Sequence, residues 1–115
     1  MTVNPDLLFV ITSNWLGDGE PDLGEKLMGS FLAVLLESGH APAMMLFLNS
    51  GVFLTTQGSP HLELLGRFVA AGTEIASCGT CLDYYGRRER LAVGTVGNMR
   101  DTVDAMVAFK IVRTV

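Results

Sequence analysis

The chain has 115 residues, 49% of them hydrophobic and only 17% charged, and carries a net charge of −4. That length holds one domain with a proper core, and that hydrophobicity excludes a disordered chain. The mildly acidic balance excludes a global attraction to nucleic acid or to an anionic membrane, and so few charges leave apolar surface that favours self-association.

The N-terminal stretch MTVNPDLLFVIT has no basic leader, so no export signal is expected. The longest apolar region, SFLAVLLESGHAPAMMLFL, is interrupted by Glu37, His40 and Pro42, so no membrane span is expected either. Two cysteines in a CxxC spacing do not make a disulfide scaffold. They fit reactive or metal-binding thiols in a reducing cytoplasm.

In chain order, Leu7 to Thr12 is a continuous apolar run of the kind buried on both faces of a parallel sheet. Asp22 with Glu25 reads as a capping box that opens a helix ending near Gly39. Leu23, Leu27, Phe31, Val34 and Leu35 are its expected buried face. Ala43 to Leu48 is a second strand. Ser59 and Pro60 supply an N-cap and a first helical residue for a helix that buries Leu62, Leu65, Phe68 and Val69 and stops at Gly72. Glu74 to Ser77 is a short third strand that runs into the cysteines. RLAVGTV reads as a turn of helix before a short strand. Asn98 with Asp101 caps a last helix with Met99, Val103, Met106 and Val107 as its expected buried face, and KIVRTV closes the chain as a strand. The alternation predicts one α/β domain over residues 1–115, with a mainly parallel sheet of four or five strands.

Ligands of open α/β sheets sit outside the carboxyl ends of the strands. Three loops place small, polar or reactive residues there: Ser13, Asn14 and the Gly17-Asp18-Gly19 turn; Asn49, Ser50 and Gly51; and Cys78, Gly79, Thr80 and Cys81. GDGEPDLG is neither GxGxxG nor a P-loop, and Asp18, Glu20 and Asp22 crowd the place where a phosphate would lie, which excludes nucleotide binding in that loop. A closed zinc site needs four ligands, and His40 and His61 are isolated from the two thiols in sequence, so neither metal nor cofactor is expected.

Thiol chemistry is what remains. A cysteine between a strand and a helix N-terminus has its thiolate favoured by the helix dipole, and Arg87, Arg88 and Arg90 follow closely. Cys78, first after the strand, reads as the nucleophile and Cys81 as a resolving partner or second sulfur ligand. Gly79 would let the backbone pass close to a bound group, and Thr80 could hydrogen-bond a sulfur.

Four blocks, LGDGEPDLGEKLMGSFL, LFLNSGVFLTTQGS, SCGTCLDYYG and VGTVGNM, together resemble the DsrE/DsrF-like sulfur-relay family, and within it the C-terminal domain of the YedF-type proteins assigned to selenium metabolism. The resemblance implies a Rossmann-like (DsrE-like) α/β domain, flanked by helices, that assembles as dimers, trimers or hexamers in the cytoplasm. It implies a persulfide-carrying, sulfurtransferase-type role in which Cys78 accepts sulfur from a TusA-like carrier. YedF-type proteins also carry an N-terminal TusA-like domain, whereas this sequence starts almost at the first strand, so the expectation is either a carrier supplied in trans or an isolated relative whose role has drifted. Two other readings stay open: a non-catalytic module binding a small ligand or partner, and a CxxC disulfide oxidoreductase.

Overall fold

The structure is a computed structural model and describes residues 2–115. Those residues form five strands: β1 (Asn4–Ile11), β2 (Pro42–Phe47), β3 (Glu74–Cys78), β4 (Thr95–Gly97) and β5 (Ile111–Thr114). The helices between them are α1 (Pro21–Glu37), α2 (Leu62–Ala71), α3 (Gly79–Tyr84) and α4 (Met99–Ala108), with 3₁₀ turns over Asn49–Leu54 and Arg88–Arg90. The sheet is parallel throughout, in the order β4-β3-β2-β1-β5. This is the expected Rossmann-like α/β arrangement. Among the described residues no helix is long and apolar enough to cross a membrane.

β1 is central, and Leu7 through Ile11 are buried on both faces, as a continuous apolar run requires. On one face Phe9, Ile11, Met45, Phe47 and Ile75 meet Met28 and Leu32 of α1, Leu65 and Phe68 of α2, and Leu82 of α3. On the other, Leu8, Val10 and Leu46 meet Ala105 of α4 and Phe109 just beyond it. Ile11 pairs with Phe47 and Phe47 with Ser77, so β1 and β2 end level while β3 runs one residue further. That extra residue is Cys78.

The helix starts differ from expectation at two places. Asp22 does not open a capping box, because Glu20 occupies the N-cap position without a side-chain bond and Pro21 begins α1. Proline is favoured there, since its missing N–H would lack a partner in any case. Ser59 does not cap α2 directly. Its Oγ accepts from the N–H of His61 at 3.1 Å in a turn, and the helix begins at Leu62. The Asn98 cap forms as expected, its Oδ1 accepting from the N–H of Asp101 at 2.8 Å.

Two helices present the other side of their apolar surface. α1 buries Gly24, Met28, Leu32 and Leu36, while Leu23, Leu27 and Val34 are exposed and Phe31 and Leu35 are half-buried. Gly24 packs so tightly that a Cβ would lie 2.8 Å from that of Trp15. In α4, Thr102 and Ala105 face the sheet, whereas Met99, Val103, Met106 and Val107 face outward, Val107 with 82% of its surface exposed. α1 carries two overlapping 3.6-residue apolar periods, and in α4 the outward period is more apolar than the inward one, so periodicity alone does not say which side meets the sheet.

Candidate functional site: a dithiol at the carboxyl edge

Cys78 ends β3 and occupies the N-cap position of α3, and Cys81 lies one turn into that helix. Both are free thiols, one helical turn apart and close enough that Cys78 influences the ionisation of Cys81. They differ in access: Cys78 is only 6% exposed, whereas Cys81 is half-buried. A cavity of about 370 Å³ opens at this point, lined by Asn49, Thr80, Cys81, Tyr84 and Tyr85. Cys78 is not among its lining residues.

The loop after β2 is what reaches the sulfur. Asn49 turns the chain with φ of +53°, the one non-glycine residue with positive φ among the described residues. Asparagine tolerates this left-handed conformation better than most side chains. Its side-chain Oδ1 accepts from the N–H of Ser50 at 2.8 Å, which holds the turn. The backbone N–H of Asn49 is thereby aimed at Cys81 Sγ, 3.1 Å away. Burial pushes the Cys81 thiol pKa up, the Asn49 N–H opposes that by favouring the thiolate, and neighbouring Cys78 pushes it further up.

The 3₁₀ turn behind Asn49 is anchored from below. Gly51 lies against the carbonyl of Ile11, where a Cβ would collide with the backbone. Thr55 Oγ1 and Ser77 Oγ share a 2.7 Å hydrogen bond, both fully buried. Gly79 lies against the Arg88 guanidinium, Val96 and the Gly97 carbonyl, so its missing side chain serves packing at the start of α3.

The expected residues divide between two places. Asn49 and Thr80 join Cys81 around the thiol cavity, while Gly51, Gly79 and Ser50 shape its frame. The loop after β1 goes elsewhere. Ser13 Oγ accepts from the N–H of Trp15, Gly17 faces open space, and Asn14 lines a separate cleft of about 390 Å³ with Trp15, Glu25, Phe53, His61 and Arg87. The rings of Phe53 and Tyr85, tilted at 57° with 4.5 Å between centroids, join the two hollows, one ring lining each.

The arginines are engaged away from the sulfurs. Arg87 lies over the Phe53 ring and donates to Thr56 Oγ1 and the Gln57 carbonyl. Arg88 makes a two-pronged pair with Asp83 at 2.7 and 2.9 Å, both groups solvent-exposed. That pairing holds the Asp83 carboxyl below its ordinary range. Among the described residues no cluster of three His, Cys, Asp or Glu side chains could hold a metal ion.

Sequence reasoning passed over Tyr84, Tyr85 and Phe53, whose aromatic character in YY and GVFL was the available signal. His61 sits at the N-cap of α2, where its ring packs on Gly29 and its Nε2 is buried without a hydrogen-bond partner.

No protein-family model matches the chain, and no curated protein sequence does. Among solved structures, the ychN protein from E. coli superposes with a TM-score of 0.68 at 17% identity, covering 97% of this chain and 100% of that one. The chain is therefore an α/β domain with the same fold as ychN, on which a dithiol stands at the carboxyl edge of the sheet.

Proposed function

We propose that this protein is a sulfur-relay protein of the DsrE-like kind, carrying sulfane sulfur on the Cys78–Cys81 pair. One observation carries the reading: two free thiols stand one helical turn apart at the carboxyl edge of a parallel sheet, and the outer of them opens into a cavity. A thiolate there attacks a persulfide donor, takes its outer sulfur and passes it to an acceptor thiol. The fold shared with ychN and the family resemblance of the SCGTCLDYYG block support the same reading. A reducing cytoplasm suits it, because free thiols persist there. The donor is a TusA-like carrier, and the extension of the chemistry to selenium follows from the YedF-type resemblance.

The protein works as a homo-oligomer. Support comes from the two outward apolar stripes. Leu16, Leu27, Phe31, Val34 and Leu35 line an apolar groove of about 450 Å³ along α1, and α4 projects Met99, Val103, Met106 and Val107. Contiguous apolar surface on so small a domain marks an interface.

The test is incubation with glutathione persulfide, followed by tandem mass spectrometry of the alkylated protein. One added sulfur atom on the dithiol peptide is expected, and none in the Cys78→Ser/Cys81→Ser double variant. A peptide that stays unmodified sinks the proposal. A second reading, as a ligand-binding module, draws on the cleft between Asn14, His61 and Arg87. It is favoured if the double variant still captures a partner that the wild type captures.

A further inference from the structure

The two cysteines are chemically alike, and their positions in the sequence favour Cys78, which follows directly on the strand. Their surroundings favour the other. Cys81 lines the cavity and Cys78 does not. Cys81 receives the N–H of Asn49, a donor aimed by a left-handed turn that the Asn49 side chain holds by accepting from the N–H of Ser50. Two aromatic rings wall the same hollow, with Tyr84 packed edge-on to Tyr85 at 5.2 Å.

We infer that Cys81 is the outer, sulfur-receiving thiol and Cys78 the inner one, and that the Asn49 backbone N–H is the donor that holds the receiving sulfur. This rests on the sulfur-relay reading and assigns its first step. The Cys81 thiolate attacks the outer sulfur of a donor R–S–SH. A bond forms between Cys81 Sγ and that sulfur, the donor S–S bond breaks, and R–S⁻ leaves with the electron pair. The product is Cys81–S–SH, with no net oxidation or reduction. As negative charge redistributes over the sulfurs, the N–H at 3.1 Å remains pointed at Sγ. Access, not acidity, selects Cys81: attack on a disulfide or persulfide needs an open approach to the sulfur, and Cys78 lies behind its neighbour. The cavity between Thr80, Tyr84 and Tyr85 admits a slender donor arm rather than a broad surface.

The experiment is a time course of loading by glutathione persulfide, quenched with iodoacetamide and read residue by residue. The added sulfur is expected first on Cys81, with Cys81→Ala loading more slowly than Cys78→Ala by about tenfold or more. Sulfur arriving first on Cys78, with Cys81→Ala unimpaired, overturns the order and leaves the sulfur-relay reading standing. Loading on neither thiol overturns both.

Asn49 is tested by a readout that a merely structural role would not move, the pH profile of Cys81 alkylation. Asn49→Val, which resists positive φ, should shift the profile to higher pH and slow loading, because the N–H leaves the sulfur. Asn49→Gly, which accepts the turn, should restore both. Identical profiles for all three proteins overturn the assignment of the donor.

Discussion

Thr55 Oγ1 and Ser77 Oγ meet at 2.7 Å with neither hydroxyl exposed, and this bond ties the 3₁₀ turn of the Asn49 loop to the strand that delivers Cys78. Thr55 Oγ1 also lies 3.1 Å from the carbonyl of Val52, one turn back. The pair therefore fixes the distance between the two segments whose ends carry the N–H donor and the thiols.

Removing one member strands the other. Thr55→Val keeps the shape but leaves the Ser77 hydroxyl buried without its partner, at a cost of about 1–3 kcal/mol. Adding Ser77→Ala to that variant should recover part of the loss, since no orphaned hydroxyl remains. Urea unfolding of the two single variants and the double variant measures this. Strictly additive losses in the double-mutant cycle would show that the bond couples nothing.

Glycine substitutions should rank by what the new methyl meets. At Gly51 it meets the Ile11 carbonyl, which is backbone in the central strand and has nowhere to go. At Gly79 the nearest atom, at 2.8 Å, is the tip of the Arg88 side chain, which is exposed and can swing away. Gly51→Ala should therefore cost about 1–3 kcal/mol or more, the range of an overpacked core, and Gly79→Ala less. Gly51→Ala should also slow alkylation or loading at Cys81, because the loop that bears Asn49 must lift. The reverse order of stability would contradict the packing described.

Much of this architecture was legible in the sequence, for physical reasons that differ by element. Leu7 to Ile11 reads as a doubly buried strand because it is a short, β-rich apolar run without polar alternation, as a strand covered on both faces requires. Asn98 with Asp101 reads as a cap because the side-chain bond is local. The buried faces of α1 and α4 were not legible. The outward stripe of α1 is as apolar as its inward one and that of α4 is more so, and a periodicity does not say which side the sheet takes. The hydrogen bond from Asn49 to Cys81 spans 32 positions and depends on one backbone dihedral, for which LNSG offers only a hint. The dithiol itself was plain from CGTC. Which sulfur faces the cavity was not, because an N-cap position and a position one turn later differ only in three dimensions.

The outward stripes make a prediction about assembly. Val34 and Val103 are 61% and 50% exposed, so an aspartate at either position should change the stability of the isolated fold by no more than about 0.5 kcal/mol. In an assembly held through these helices the same aspartate would bury an unpaired charge. Val34→Asp and Val103→Asp should each lower the mass measured by sedimentation equilibrium toward that of a single chain. Variants that keep the wild-type mass would remove both stripes from the interface.

His61 gives a pH dependence whose sign follows from its surroundings. Its ring is packed against Gly29 with Nε2 buried and unpartnered, and this burial lowers its pKa below the ordinary 6.5, while Glu25 acts in the opposite sense and less strongly. A folded-state pKa below the unfolded one means that the unfolded chain binds the proton more readily. The His61 contribution is thus fully present above about pH 6.5 and is lost as pH falls through that value toward the lowered folded one. Carboxylates titrate in part of the same window, so the informative quantity is a difference between proteins. Between pH 7.5 and 5 the urea midpoint of the wild type should fall further than that of His61→Gln, and Glu25→Gln should steepen the fall by removing the one opposing charge. Parallel curves for wild type and His61→Gln would mean that the imidazole takes up its proton as easily folded as unfolded, and the buried Nε2 would then have to be reached by water.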